Sequence, residues 1–357
     1  MSEQHDVLIR KEQRAGRMTL NRPAALNALT WEMALAIEKA LDAWASDGDV
    51  QVVVIDSAGE KAFCAGGDIA ELYQKGRADD YDYGRRFWGD EYRLNAKIHS
   101  YKKPFVAVMD GIVMGGGVGV SAHGSHRIVT ERSVVAMPET GIGLIPDVGG
   151  TFLLSRAPGH CGEYLTMTSA RMSPGDAIFA GFADLYLPSS QKAAAIAALC
   201  ETGDPLAADA LCKEPPSSDL KTHLAEINEL FAGADALATV KALESAGTPF
   251  SIGAAAAIRR NSPLSVATAF EAVRRARSLP TLEECLRQEY RFTYRSQEMG
   301  EFLEGIRAAV IDKDKKPNWK PARLEDLDPA RIESLLAPLG AHELKLVMPE
   351  AAEQEAH

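Results

Sequence analysis

The sequence predicts an α/β domain, and three short apolar runs near the start of the chain are the main reason. Residues 52–55 and 105–108 are apolar runs bounded by turn residues, which is typical of strands covered on both faces, and residues 127–129, which begin with Arg127, form a third and weaker run. Each run is followed by a glycine-rich turn or a helical segment. The first 185 residues therefore indicate a repeating layout of strand, strand and helix, as in α/β domains.

The elements before the first of these runs are also marked in the sequence. Apolar and polar residues alternate at 7–9 and 17–20 around Ala15 and Gly16, which predicts a β-hairpin. Thr30 is a candidate N-cap for a helix that ends near residues 46–49. Its apolar residues recur at helical spacing, at Met33, Ile37, Leu41 and Trp44.

Alanine-rich helical stretches replace this layout after residue 187. We place a boundary near residue 200, with a catalytic core at 1–200 and a helical region at 201–348 that completes the domain. Helices are predicted at 191–200, 264–277 and 281–295. The acidic tail, residues 349–357, is expected to be frayed.

Composition excludes several classes of function. The net charge of −11 argues against a nucleic-acid surface, which needs clustered Lys and Arg. No apolar run reaches membrane-spanning length, and residues 1–13 resemble neither a secretory signal nor a transit peptide. The five cysteines are far apart and include no CxxC pair, so neither a disulfide framework nor a metal site is expected. The cytoplasm is the expected compartment.

The first candidate for chemistry is the segment 63–68, between the first apolar run and a predicted helix. Gly66 and Gly67 allow the backbone to approach a ligand closely, and N–H groups near a helix start can donate to an anion. Ala65 and Asp68 flank them. Taken alone, the segment is better explained as an ordinary glycine turn between a strand and a helix.

The second candidate is the segment 110–119, which contains the triplet Gly115, Gly116 and Gly117. Its spacing matches neither the dinucleotide nor the P-loop pattern, so those nucleotide sites are disfavoured. Tight helix packing is the alternative for Gly117 and Gly119.

The third candidate is the segment 137–150, where Glu139 and Asp147 lie among apolar residues and glycines. Burial in such surroundings raises the pKa of a carboxyl toward the range useful for acid–base chemistry. The alternatives are a surface turn for Glu139 and an N-cap for Asp147, before a helix running from Val148.

Other nucleophiles are weaker candidates. Ser121 lies one residue short of a GxSxG pattern. His123 and His126 have no nearby acids, so packing or capping is the better explanation for both. Cys64 is best explained as a small buried apolar residue.

In order along the chain, these three segments and the segment 21–29 resemble the enoyl-CoA hydratase/isomerase (crotonase) superfamily. The resemblance implies a spiral of ββα units that binds acyl-CoA. It further implies that the N–H groups of Gly67 and Gly116 polarise the thioester carbonyl.

Later motifs resemble the 3-hydroxyisobutyryl-CoA hydrolase branch of that superfamily. Gly119 stands where hydratases have a second glutamate, and Glu301 stands where the branch commonly has Asp. The motifs themselves are residues 261–265, 282–286, 289–291, 304–308 and 311–317.

This branch implies hydrolysis of a short β-hydroxyacyl-CoA, such as 3-hydroxyisobutyryl-CoA in valine breakdown, with coenzyme A as part of the substrate and no other cofactor. Glu139 would attack the thioester or activate water, and Asp147 would contact the 3-hydroxyl or position the acyl group. Glu91 matches a substrate-contacting acid, although a helix-surface acid is its alternative. The implied substrate-binding residues are Ala65, Gly66, Asp68, Glu91, Gly116, Glu139 and Asp147.

Several questions stay open at this point. Hydration or isomerisation by Glu139 alone, and acyl-CoA binding without turnover, are the alternative functions. The residues distinguish neither 3-hydroxyisobutyryl from 3-hydroxypropionyl groups nor covalent attack by Glu139 from attack by water. Related proteins suggest a homotrimer or homohexamer.

Overall fold

The computed structural model describes residues 5–346, so the predicted frayed tail at 349–357 lies outside the described residues. The nine strands β1 to β9 form two sheets, and from β3 onward successive strands belong alternately to one sheet and to the other. They are β1 Val7–Glu12, β2 Ala15–Leu20, β3 Val52–Ser57, β4 Ala62–Cys64, β5 Phe105–Met109, β6 Ile112–Met114, β7 His126–Val129, β8 Val134–Ala136 and β9 Leu185–Tyr186.

The larger sheet has the order β1-β2-β3-β5-β7-β9. Strands β1 and β2 are antiparallel, which confirms the predicted hairpin, and every later pair in this sheet is parallel. The smaller sheet, β4-β6-β8, is entirely parallel. Successive strand pairs β3–β4, β5–β6 and β7–β8 therefore each place one strand in each sheet, and the helical segment that follows each pair completes a ββα unit.

The two faces of the larger sheet are both covered, as the apolar runs predicted. In β3, Val53 and Ile55 contribute to the main core, while Val52 and Val54 belong to a second core together with Leu199 of the helix 192–202. Because both sets are fully buried, the strand carries no alternation of polar residues.

Sixteen α-helical segments, α1 to α16, surround these sheets within residues 5–346. They are α1 Trp31–Ala45, α2 Ile69–Arg77, α3 Tyr81–His99, α4 Gly116–Gly119, α5 Gly150–Arg156, α6 Cys161–Thr168, α7 Pro174–Phe179, α8 Lys192–Thr202, α9 Asp219–Thr222, α10 Leu224–Leu230, α11 Ala236–Ala246, α12 Pro249–Arg260, α13 Pro263–Ala276, α14 Leu282–Ser296, α15 Phe302–Ile306 and α16 Pro329–Leu336. Short 3₁₀ helices occur at 23–25, 139–142, 189–191, 205–211, 324–326 and 340–342, and a π-helical turn at 307–311.

Capping residues set several of these boundaries. The Thr30 hydroxyl accepts the N–H of Met33, which confirms the predicted start of α1. Thr281 and Glu284 form a reciprocal capping box at the start of α14. These capping residues explain why the starts of α1 and α14 could be predicted from the sequence.

The C-terminal helices bring the rest of the chain against the first ββα units. Helix α14 packs along α3, and α15 packs against the 3₁₀ helix 139–142. The approach is close enough that a Cβ built on Gly305 would lie 2.0 Å from the Ile142 carbonyl oxygen. Among the described helices, none combines the length and apolar character needed to cross a membrane.

Candidate active site

A cavity of about 100 Å³ lies where the three predicted segments meet. Gly67, Gly116 and Glu139 in these segments follow β4, β6 and β8, the three strands of the smaller sheet. Because these strands are parallel, their carboxyl ends share one edge of the sheet. Positions 67, 116 and 139, which are distant in sequence, therefore line one cavity.

Gly67 and Gly116 place two backbone N–H groups at this cavity. A Cβ built on Gly116 would lie 3.4 Å from the Gly67 nitrogen, so the two backbones lie close together. Neither N–H donates a hydrogen bond to another residue in the described part of the chain. The turns that carry them need positive φ at Gly66 (121°) and Gly115 (47°), a conformation that favours glycine. Two backbone N–H groups that have no acceptor among the described residues and lie beside one cavity are the donors that an oxyanion hole requires.

Glu139 begins the 3₁₀ helix and is 4% exposed. Its Oε1 lies near Gly115, 3.2 Å from where a Cβ on that glycine would stand, and Oε2 has no hydrogen-bond partner among residues 5–346. Burial, reinforced by the charge of Asp147, raises the pKa of Glu139 well above its ordinary value. The alternative of a surface turn residue is therefore wrong.

Asp147 is 5% exposed and lines the same cavity. Its Oδ2 accepts the Tyr92 hydroxyl at 2.8 Å. Burial raises the pKa of Asp147 to about 7, although the hydrogen bond from Tyr92 opposes this shift. The N-cap alternative is wrong, because α5 begins at Gly150 with Gly149 at the capping position.

Glu91 projects from α3 into the cavity and is 2% exposed, so the helix-surface alternative is wrong. A Cβ built on Gly116 would lie 2.8 Å from Glu91 Oε1, which places this carboxyl beside the oxyanion glycine. That oxygen has no hydrogen-bond partner in the described chain. Burial first, and then the charge of Asp147, raises the pKa of Glu91 well above its ordinary value.

The remaining predicted contact residues divide into two groups. Ala65 and Gly66 line the cavity, as expected. Asp68 does not, because it lies at the start of α2, where its carboxylate pairs with Arg22 at 3.0 Å. The structure therefore gives Asp68 a salt bridge on the outside of the turn rather than a place in the cavity.

Gly119, the position of the missing hydratase glutamate, has no space for a side chain. A Cβ there would lie 2.8 Å from both Asn95 Nδ2 and Val148 Cβ. A Cβ on Gly117 would lie 2.3 Å from the Cys64 carbonyl oxygen. Close packing of α4 thus explains both glycines.

The weaker nucleophile candidates do not line the cavity. The Ser121 hydroxyl donates to the Gly117 carbonyl at 2.6 Å. Burial raises the pKa of the Cys64 thiol to about 12 and lowers that of the His123 imidazole to about 4. His126 Nδ1 lies 2.9 Å from the Ser125 hydroxyl. These groups are structural in the described protein.

The apolar wall and the supporting polar groups of the site were not predicted from the sequence. Phe87 and Trp88 of α3 and Phe302 of α15 line the cavity. Asn261 supports the residue after Glu139, since its side-chain amide lies 3.2 Å from the Thr140 hydroxyl. Helical spacing of Trp88, Glu91, Tyr92 and Asn95 is a signal that marks the buried face of α3.

The chain belongs to the enoyl-CoA hydratase/isomerase family, which it matches over residues 15–336. This confirms the resemblance of the sequence motifs, and the observed architecture confirms the crotonase-like fold. The cavity at the edge of the smaller sheet is thus the candidate active site of a member of this enzyme family.

Two curated relatives are named as 3-hydroxyisobutyryl-CoA hydrolases, the branch that the later sequence motifs resemble. The 3-hydroxyisobutyryl-CoA hydrolase of Gallus gallus is 38% identical over 354 residues, which cover 96% of this chain and 91% of the chicken protein. The 3-hydroxyisobutyryl-CoA hydrolase 1 of Arabidopsis thaliana is 36% identical, with 93% of this chain and 92% of the plant protein covered.

Two solved structures are similar over almost the whole chain. An enoyl-CoA hydratase from Rhodobacter sphaeroides is 50% identical, has a TM-score of 0.91 and covers 96% of this chain and 100% of its own. A carnitinyl-CoA dehydratase from Mycobacterium thermoresistibile is 44% identical with the same TM-score, and covers 96% and 98% respectively. The curated relatives are therefore named as hydrolases, whereas the two solved structures are named as a hydratase and a dehydratase.

Proposed function

We propose that this protein hydrolyses a short β-hydroxyacyl-CoA thioester, with 3-hydroxyisobutyryl-CoA as the leading substrate. The observation that carries the proposal is the position of Glu139 beside two backbone N–H groups that have no acceptor in the described structure. The curated relatives named as 3-hydroxyisobutyryl-CoA hydrolases support the choice of reaction and substrate.

In this mechanism the thioester oxygen accepts the N–H groups of Gly67 and Gly116. Charge develops on that oxygen during attack, so donors fixed by the fold stabilise the transition state more than the ground state. The ionised carboxyl of Glu139 takes a proton from water as the water oxygen bonds to the carbonyl carbon. The C–S bond then breaks, and the proton from Glu139 passes to the departing sulfur, giving the free acid and the CoA thiol.

We propose that Asp147 and Glu91 contact the β-hydroxyl group of the substrate. Both carboxyls line the cavity, and Glu91 Oε1 has no partner within residues 5–346. A hydroxyl group can donate to an ionised carboxylate, and it can donate to or accept from a protonated carboxyl. Because unpaired buried polar groups are costly, a substrate that supplies this hydroxyl should be preferred over one that lacks it.

A thiol-release assay over a small acyl-CoA panel tests the proposal. We expect 3-hydroxyisobutyryl-CoA and 3-hydroxypropionyl-CoA to be hydrolysed, and isobutyryl-CoA, which lacks the hydroxyl, to be hydrolysed at least about tenfold less efficiently. Equal rates for the hydroxylated and unsubstituted compounds would contradict the roles of Asp147 and Glu91. The absence of thiol release from the whole panel would contradict hydrolysis itself.

A covalent variant of this mechanism makes a separate prediction. If Glu139 Oε1 attacks the carbonyl directly, an acyl-anhydride forms and water then cleaves it. In ¹⁸O water, one turnover would leave heavy oxygen in the Glu139 peptide only when water attacks the glutamyl side of that anhydride. Trapping the acyl-enzyme with hydroxylamine covers attack on the other side, and negative results from both experiments favour direct attack by water.

Hydration of an enoyl-CoA is the second candidate, and the two carboxyls beside Gly115 and Gly116 favour it. Addition of water needs groups that take and give protons, and Glu139 and Glu91 both reach the cavity. The Rhodobacter relative named as an enoyl-CoA hydratase points the same way. Incubation with crotonyl-CoA separates the candidates, because hydration removes the enoyl absorbance without release of thiol.

Three further expectations remain proposals. The protein is proposed to need no cofactor, to act in the cytoplasm and to form a trimer or hexamer. The chicken relative is named as a mitochondrial protein, so the compartment needs its own measurement by cell fractionation. Activity after dialysis against a chelator and light scattering of the purified protein test the other two.

A further inference from the structure

The peptide group between Val148 and Gly149, directly after Asp147, is held by side chains on both sides. His123 Nε2 lies 2.7 Å from the Val148 carbonyl oxygen, so this nitrogen carries the proton and donates. On the other side, the Gly149 N–H donates to Glu289 Oε2 at 2.8 Å. One peptide unit is therefore fixed by two side chains from different parts of the chain.

The backbone at this peptide adopts a conformation that it would not hold without support. Val148 has φ of 51°, which is costly for a β-branched residue, and Gly149 has φ of 80°. Val148 is 1% exposed, so bulk solvent does not reach this peptide. The His123 and Glu289 contacts, hereafter the peptide clamp, provide that support.

Glu289 makes two further contacts that strengthen the peptide clamp. Its Oε1 accepts the Thr151 N–H at 2.9 Å and also the Thr151 hydroxyl. The carboxyl is fully buried, and neither described oxygen is left without a donor. Three donors converge on the two carboxyl oxygens of Glu289, so both oxygens must accept hydrogen bonds.

The same helix also reaches the other support of Asp147. Tyr92, whose hydroxyl donates to Asp147 Oδ2, lies 3.4 Å from the Thr293 hydroxyl, one turn after Glu289 on α14. Helix α14 thus touches the Asp147 segment through Glu289 and touches the Asp147 carboxyl through Tyr92. The C-terminal region in this way sets the geometry of a residue in the N-terminal core.

We propose that Glu289 is a positioning residue that, through the peptide clamp, fixes the direction in which Asp147 enters the cavity. This inference rests on the proposed function, in which Asp147 contacts the β-hydroxyl of the substrate. Glu289 does not line the cavity and does not touch the reacting atoms. We expect Glu289 to increase the preference of the enzyme for hydroxylated over unsubstituted acyl groups.

The substitution Glu289→Gln tests this role. The amide keeps the length of the side chain, but its NH₂ group cannot accept the Gly149 or Thr151 N–H. We measure kcat/KM for 3-hydroxyisobutyryl-CoA and for isobutyryl-CoA and take their ratio. The ratio should fall toward 1, a loss of about tenfold if the wild-type preference is about tenfold, because a misplacement of about 1 Å can cost that much or more.

Two comparisons separate positioning from a general loss of structure. In the Asp147→Asn background, Glu289→Gln should lower the ratio no further, since both changes act on one contact. The matched control is Glu163→Gln, which removes another fully buried carboxylate, paired with Arg277 at 2.7 Å and away from the cavity. The control should lower the melting temperature and leave the ratio unchanged.

A milder variant covers the case in which Glu289→Gln does not fold. Thr151→Val removes one hydroxyl donor and keeps the backbone donors, so the ratio should fall roughly two- to tenfold, the effect of one neutral hydrogen bond. The proposal would be overturned if folded Glu289→Gln or Thr151→Val kept the wild-type ratio of kcat/KM. It would also be overturned if Glu289→Gln lowered this ratio as much in the Asp147→Asn background as in the wild-type protein. If the wild-type protein releases no thiol, the proposed function fails, and the ratio of dissociation constants for the same two compounds by calorimetry still decides the role of Glu289.

Discussion

The substitution Glu139→Gln is the most direct perturbation of the site. It replaces Oε2, which has no hydrogen-bond partner in the described structure, by an NH₂ group of nearly the same size. No hydrogen bond within residues 5–346 is lost at that atom, so the fold should be retained. The amide can neither take a proton from water nor attack the thioester, and we expect kcat to fall by about 10² to 10⁴.

The same substitution has a predictable effect on stability. Burial raises the pKa of Glu139, so the folded state favours the neutral carboxyl. The stability that comes from this preference is fully present below the pKa of the unfolded state and is lost as pH rises through the folded pKa. Glutamine stays neutral, so the variant should match the wild-type protein at acidic pH and become more stable above it, by about 1.4 kcal/mol for each unit of pKa shift.

Thiol release and thermal unfolding, measured over a range of pH, check both expectations. Glu60→Gln is a suitable control, because the Glu60 side chain is 81% exposed. A Glu139→Gln variant that releases thiol at the wild-type rate would refute its catalytic role. A variant that is less stable than the wild-type protein at all pH values would refute the description of Glu139 as a buried carboxyl without partners.

Three further predictions concern the same cavity. The kcat/KM for thiol release should increase as pH rises through the raised pKa of Glu139, because the base must be ionised, and a decrease would contradict this. Gly119→Glu should destabilise the fold by about 1–3 kcal/mol in urea unfolding, since its Cβ would lie 2.8 Å from Val148 Cβ, and a gain of crotonyl-CoA hydration would contradict the crowding argument. Burial raises the pKa of Asp147, so the folded state favours its neutral form. Asp147→Asn should therefore be more stable than the wild-type protein at alkaline pH and equally stable at acidic pH, and a lower melting temperature at both pH values would contradict this.

The local elements of the fold could be predicted from the sequence. The hairpin β1–β2, the buried strands β3 and β5 and the cap of α1 follow from apolar patterning and one hydroxyl side chain. The glycine turns could also be located, because each follows a strand and is needed where φ is positive or two backbones touch. These features depend on neighbours within a few residues, which a sequence displays directly.

Whether these carboxyl groups are buried could be learned only from the tertiary structure. From the sequence, a surface position was open for Glu139 and Glu91, and an N-cap was open for Asp147. All three are buried at one cavity, while Asp68, which lies next to the glycine turn, pairs with Arg22 outside it. Burial is a property of what packs over a residue, so periodicity in one segment does not decide it.

The α/β layout and the order of the glycine turns could be predicted from the sequence alone, and Glu139 could be proposed as the carboxyl to test. Only the tertiary structure showed that Phe302 and Glu289, more than 130 residues after Glu139 and Asp147, close the cavity and hold its backbone. The physical reason is that α14 and α15 pack against α3 and the 3₁₀ helix 139–142, and such contacts join residues whose separation along the chain carries no local signal.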